Sequence, residues 1–124
     1  PMRAKHLPRA LEQLAEEGAA RIFKPRIGAN HIVGVVGALQ FDVLADRIKS
    51  EYDIPVAFET AGLFTARWIE GGDAVTLKKF ENGNEGYLAD DHTGALVFLA
   101  RNSWHLETTQ KEWPNLNFAK TKEQ

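Results

Sequence analysis

At 124 residues the chain is long enough to bury a core without staples, and its 44% hydrophobic and 26% charged content are those of an ordinary globular protein. The absence of cysteine excludes disulfides, thiolate zinc sites and cysteine nucleophiles, and no stretch reaches the ~18 apolar residues of a membrane span. A net charge of −2 argues against broad electrostatic binding to nucleic acid by the chain as a whole.

The first element predicted is a helix over 8–17, with Pro8 suited to its first turn and Gly18 to the position just past its end. Leu7, Ala10, Leu11, Leu14 and Ala15 form its apolar stripe. A strand over 20–25 follows, and the turn residues Gly28, Ala29 and Asn30 lead into a second strand from His31, making a hairpin. Ile32, Val33, Val35 and Val36 are apolar and β-branched, while Gly34 and Gly37 bare the backbone for close packing. From Leu39 the period changes to helical: Phe41, Leu44, Ile48 and Tyr52 recur on one face of a helix over 39–52, stopped by Asp53 and Pro55. Strands are predicted over 55–60 and 63–70, with Gly71 and Gly72 breaking the latter. Asp73 then caps a short helix through Phe80. The span 81–94, dense in Gly, Asn and Asp and without a period, reads as a surface loop. A strand over 95–100, a helix over 103–113 stopped by Pro114, and a last strand over 117–120 complete the chain.

The residue types that carry chemistry do not converge. No GxxxxGK[ST] loop is present. Gly71-Gly72-Asp73 lacks the acidic and aromatic neighbours of a nucleotide-cyclase turn, since Ala74 and Val75 follow it. Asp90, Asp91 and His92 are divalent-ion ligand types, but no further ligand sits at a useful spacing, so the segment reads as a solvated loop. His6, His31 and His105 are scattered, and Ser103 near His105 lacks a nucleophile context. Trp68, Trp104 and Trp113 read as core or core-rim anchors: Trp68 is expected on the helix layer, with Arg67 facing away from it. Arg3, Lys5, Arg9, Arg21, Lys24 and Arg26 make the first quarter basic, which is a solvated face or a local RNA or inter-domain contact.

One segment carries a resemblance. Gly34-Val35-Val36-Gly37-Ala38-Leu39-Gln40-Phe41-Asp42-Val43, followed by Asp46-Arg47-Ile48-Lys49-Ser50-Glu51-Tyr52, is similar to the C-terminal domain of bacterial peptide chain release factor 3, a class II release factor of the translational GTPase family. More loosely it resembles the third domain of elongation factor G. Leu14-Ala15-Glu16-Glu17-Gly18-Ala19, Thr65-Ala66-Arg67-Trp68-Ile69-Glu70, and Thr109-Gln110-Lys111-Glu112-Trp113-Pro114 with Phe118-Ala119-Lys120-Thr121-Lys122-Glu123 extend the likeness in order along nearly the whole chain.

The resemblance implies an α+β, ferredoxin-like plait of the split β-α-β kind. Its first strand is expected upstream of Pro1, with further β-α units extending it. It implies one domain over 1–124, with halves 1–62 and 63–124, belonging to a larger cytoplasmic protein. It also implies that GTP or GDP and Mg bind a separate N-terminal GTPase domain, and that the 124-residue domain itself has no cofactor, metal or catalytic residue. The expected partners are the small ribosomal subunit, class I release factors, and the protein's own GTPase and barrel domains. The resemblance implies no membrane partner. Within the matched blocks, Gln40, Arg47, Lys49, Arg67, Lys120 and Lys122 are the residues expected to contact ribosome or neighbouring domain. A freestanding interaction module of plait fold, without enzymatic activity, is the alternative.

Overall fold

The computed structural model describes residues 6–28, 30–35 and 37–120. Helix α1 (Leu7–Glu16) buries Ala10, Leu11, Leu14 and Ala15, the predicted stripe. It ends at Gly18, whose φ of 79° turns the chain so that the Ala19 N–H reaches Leu14 O at 3.0 Å, a conformation that a side chain would strain. Strands β1 (Arg21–Pro25) and β2 (Ile32–Gly34) form the predicted antiparallel hairpin, Ile22 opposite Val33 and Phe23 opposite Ile32. Ala29 and Val36, which the sequence places in the turn and the second strand, lie outside the described residues. The close packing expected at the two glycines is not found. A Cβ at Gly34 would meet Arg21 and Phe23 at an ordinary 3.6 Å, and one at Gly37 would meet nothing within 4 Å.

Helix α2 (Leu39–Tyr52) follows with Leu44 and Ile48 buried, and Asp53 caps it in the left-handed region. The rest of the chain runs β3 (Thr65–Gly71), α3 (Ala74–Gly83), a 3-10 turn at Glu85–Tyr87, β4 (Leu88–Asp91), β5 (Leu96–Ala100), α4 (Ser103–Glu112) and β6 (Leu116–Ala119). Asp73 caps α3 as predicted, its carboxylate accepting from the Thr76 N–H at 2.7 Å.

These strands form one six-stranded sheet in the order β2-β1-β4-β5-β3-β6, and each pair is antiparallel. The expected α+β, plait-type architecture is present. Its location differs from the expectation. The unit β3-α3-β4-β5-α4-β6, with strand order β4-β5-β3-β6, is a complete β-α-β-β-α-β plait within 65–119. The hairpin β1-β2 extends it through the pairing of β1 with β4.

Two predicted elements are corrected. No strand forms over 55–60; residues 53–64 hold neither strand nor helix. Ile54, Val56 and Phe58 alternate because an extended segment lays one side against α1 and α2, not because it joins a ladder. Conversely, the loop expected over 81–94 contains the last turn of α3 and the whole of β4, which lies between β1 and β5. The short pair Leu88-Ala89 is buried, while Asp90 and Asp91 end the strand with polar partners, so no apolar run marks it.

Among the described residues three apolar clusters form the core. One joins Leu11 and Leu14 of α1 and Leu44 and Ile48 of α2 to Ile22. A second joins Phe80 of α3 and Leu106 of α4 to Leu88, Phe98, Leu116 and Phe118. Ile22 and Phe98 point from the same sheet face by register, so all four helices pack on that face. The third cluster, Phe23, Trp68, Ala89, Val97 and Leu99, lies on the other face and includes no helix residue. Trp68 therefore faces away from the helix layer, contrary to expectation, and Arg67 shares the helix-side face with its partner Phe98.

Candidate functional site

The strand-to-helix junction sets the charges of α2 in place. Gln40 is exposed in the first turn, but its N–H donates to Gly37 O at 3.0 Å and that of Phe41 to Ala38 O at 3.2 Å. Two first-turn amides that an anion would need thus already have partners. Arg47 spans two helices: Nε donates to Glu51 at 2.8 Å and Nη2 reaches Glu17, at the end of α1, at 2.9 Å. Hydrogen bonds to Glu51 and Glu17 hold its guanidinium above the ordinary arginine pKa, and the same contact holds Glu51 below the usual carboxylate range. Lys49 lies 3.7 Å from Asp53, one turn on. Both predicted cations of α2 therefore stand beside carboxylates, and a phosphate would have to compete for them.

Arg67 is half-buried, and its Nη1 donates to Thr65 Oγ1 at 2.9 Å and Ala66 O at 3.0 Å. Lys120 is exposed just past β6. Lys122 lies outside the described residues, as do Arg3 and Lys5 of the basic first quarter. Gln40, Arg47 and Lys49 share one helix, while Arg67 and Lys120 belong to the β3-β6 end of the sheet.

The outer face of α2 was not singled out by sequence. Leu39, Asp42, Val43 and Asp46 recur at i, i+3, i+4 and i+7 and are all exposed, Leu39 at 79% and Val43 at 48%. The available signal was a surplus: Leu39 and Val43 are apolar residues that fall off the Phe41-Leu44-Ile48-Tyr52 core face.

The two halves are joined by specific contacts. Arg26, just past β1, pairs with Glu81 of α3 and, at 3.1 Å, with Asp90 of β4. Arg26, Ile27, Lys78, Glu81 and Glu85 line a shallow recess there, whose two cations are matched by two carboxylates. Across the helix-free face the Trp68 ring packs 5.8 Å from Phe23 and beneath the Arg21 guanidinium at 5.4 Å. Its indole N–H donates to Asp91.

At the start of α4, Trp104 is 67% exposed and Arg101 lies 5.0 Å over the Tyr87 ring. His105 is buried between Tyr87 and Phe98, and its Nδ1 accepts the Arg101 N–H at 3.1 Å. Burial first, and then the Arg101 charge, lower the pKa of its imidazole.

Among the described residues no group of three or more His, Asp or Glu is placed to hold a metal ion. Asp91, one of the metal-ligand types considered, instead caps its own turn, accepting from Thr93 and Ala95. The features that the described residues expose are paired cations on α2, an acidic-apolar face of the same helix and the Trp104 ring. The family model described as class II release factor RF3, C-terminal domain, matches residues 1–110, a span that takes in β1 to β5, α1 to α3 and most of α4. With 110 of 124 residues matched, the chain belongs to the family of class II release factor RF3 C-terminal domains.

Proposed function

We propose that this domain binds the ribosome, on its small subunit, and helps a GTP-dependent release factor drive class I factors off after peptide release. Membership of the release-factor family places the chain in translation termination, and that match over residues 1–110 is the observation that carries the reading. GTP and Mg would be held by a separate GTPase domain of the same cytoplasmic protein. The part played here is mechanical. A domain that binds one ribosome conformation more tightly than another shifts the population toward it by its differential affinity alone. A twofold population ratio becomes twentyfold when the favoured state is bound tenfold more tightly, an effect of about 1.4 kcal/mol.

The fold suits such a task because its halves share one sheet, with Arg26 paired to Asp90 and Trp68 packed against Phe23 and Arg21 across the joint. The test compares the complete release factor with one ending before Pro1, measuring GTP-dependent dissociation of a class I factor from termination complexes. Loss of recycling, with GTP binding retained, is expected. Undiminished recycling by the shortened factor would overturn the proposal.

A further inference from the structure

The outer face of α2 combines features that do not suit a nucleic-acid contact. Leu39 and Val43 are large apolar side chains held in solvent, and Asp42 and Asp46 stand beside them on the same stripe. Neither aspartate makes an ion pair among the described residues. The two cations of the helix are drawn toward Glu17, Glu51 and Asp53 instead. Phosphate groups brought against this stripe would meet carboxylates with no compensating base. A surface of lysine or arginine with apolar side chains between them meets both features, pairing the aspartates and covering the leucine and valine.

We infer that the outer face of α2 docks on a basic, partly apolar protein surface of the ribosome, with Leu39 and Val43 as anchors and Asp42 and Asp46 as charge partners. This rests on the ribosome-binding reading above and names the kind of partner at one surface. It also assigns work to residues that carry the opposite charge from the contacts expected from sequence.

The sign of a charge change separates protein from RNA. Co-sedimentation with ribosomes is measured for the complete release factor, unmodified and carrying Asp42→Asn with Asp46→Asn. Facing a basic protein, loss of two carboxylates weakens binding, here by roughly three- to tenfold at low salt, with the difference fading as salt rises. Facing phosphates, the same change tightens it. Leu39→Ser with Val43→Ser, both at exposed positions, is expected to weaken binding at all salt concentrations. Should the aspartate variant unfold, a photo-crosslinker on Val43→Cys provides the second measurement, with an adduct to ribosomal protein expected. Tighter or unchanged binding of the folded aspartate variant, or an adduct to ribosomal RNA, overturns the inference while the ribosome reading stands. Failure of the unmodified factor to co-sediment removes that reading and the inference with it.

Discussion

The indole Nε1–H of Trp68 donates to Asp91 Oδ2 at 2.8 Å, so the side chain of a central strand is tied to the last residue of β4 across β5. Asp91 is multiply bonded, since its Oδ1 also accepts from the Thr93 N–H, the Thr93 hydroxyl and the Ala95 N–H. Burial alone would raise the Asp91 pKa, but the bonds from Trp68, Thr93 and Ala95 outweigh it and hold the carboxyl below its usual value. Trp68→Phe keeps an aromatic ring beside Phe23 but removes the donor and part of the buried ring volume, and is expected to cost about 1–3 kcal/mol in urea unfolding. Trp68→Ala, which also empties the cluster, should cost about 3–5 kcal/mol.

The same carboxylate gives the acid limb of stability a direction. A group whose pKa is depressed in the folded state stabilises above its unfolded value and loses that contribution as pH falls through the folded one. Asp91→Asn should therefore flatten the loss of stability on acidification below about pH 4, where an ordinary carboxyl begins to protonate. Unfolding curves at matched pH values for the two proteins measure it.

His105 acts in a higher range. Its neutral form accepts the Arg101 N–H at Nδ1, so protonation breaks that bond and places a cation beside the Arg101 guanidinium. Glu112 opposes this shift and is the weaker influence. The folded pKa lies below the unfolded one, so its contribution is complete above the unfolded value of about 6.5 and is lost as pH falls from there through the folded value. NMR titration of the imidazole should give a midpoint below that of a histidine in an unstructured peptide. A midpoint at or above it would contradict the geometry.

Gly72 occupies the left-handed region at φ 73° against β6, and a Cβ there would come within 2.5 Å of Leu116 Cδ2. Gly72→Ala should destabilise by about 1–2 kcal/mol from the backbone alone, with more from displacement of the buried Leu116. Thermal unfolding compares the two chains.

Arg26 marks the contrast between a contact that is seen and one that stabilises. Its pairs with Glu81 and Asp90 join the two halves, yet all three side chains are about a third exposed, at 36%, 32% and 37%. Water screens such pairs, so Arg26→Ala is expected to cost no more than about 1 kcal/mol, and less in high salt. A larger, salt-independent loss would show that the clamp organises the joint between the hairpin and α3.

Much of this molecule is legible from residue pattern where burial is one-sided and long enough to repeat. The stripe Ala10, Leu11, Leu14 and Ala15 of α1, the run Leu96 to Leu99 of β5 and the Asp73 cap each carry their own local signal. Strand β4 does not, because two buried residues are too few for a period and its other two are aspartates satisfied by Arg26 and Trp68. The extended segment at Ile54, Val56 and Phe58 gives the opposite error, since alternation reports one-sided burial and cannot report a ladder partner. Which face Trp68 takes depends on where the helices lie, and that is decided by the pairing of distant strands. Of the surface residues expected from sequence, Arg47 and Lys49 stand where expected on α2, but their carboxylate neighbours become visible only once the chain is folded.

The most direct test of the mechanical role is the fraction of ribosomes that change intersubunit conformation, read by fluorescence transfer between labelled subunits as the release factor is added with a non-hydrolysable GTP analogue. The complete factor should raise that fraction, and a factor ending before Pro1 should raise it little or not at all. An equal rise with the shortened factor would contradict the claim that this domain selects a ribosome conformation by binding it.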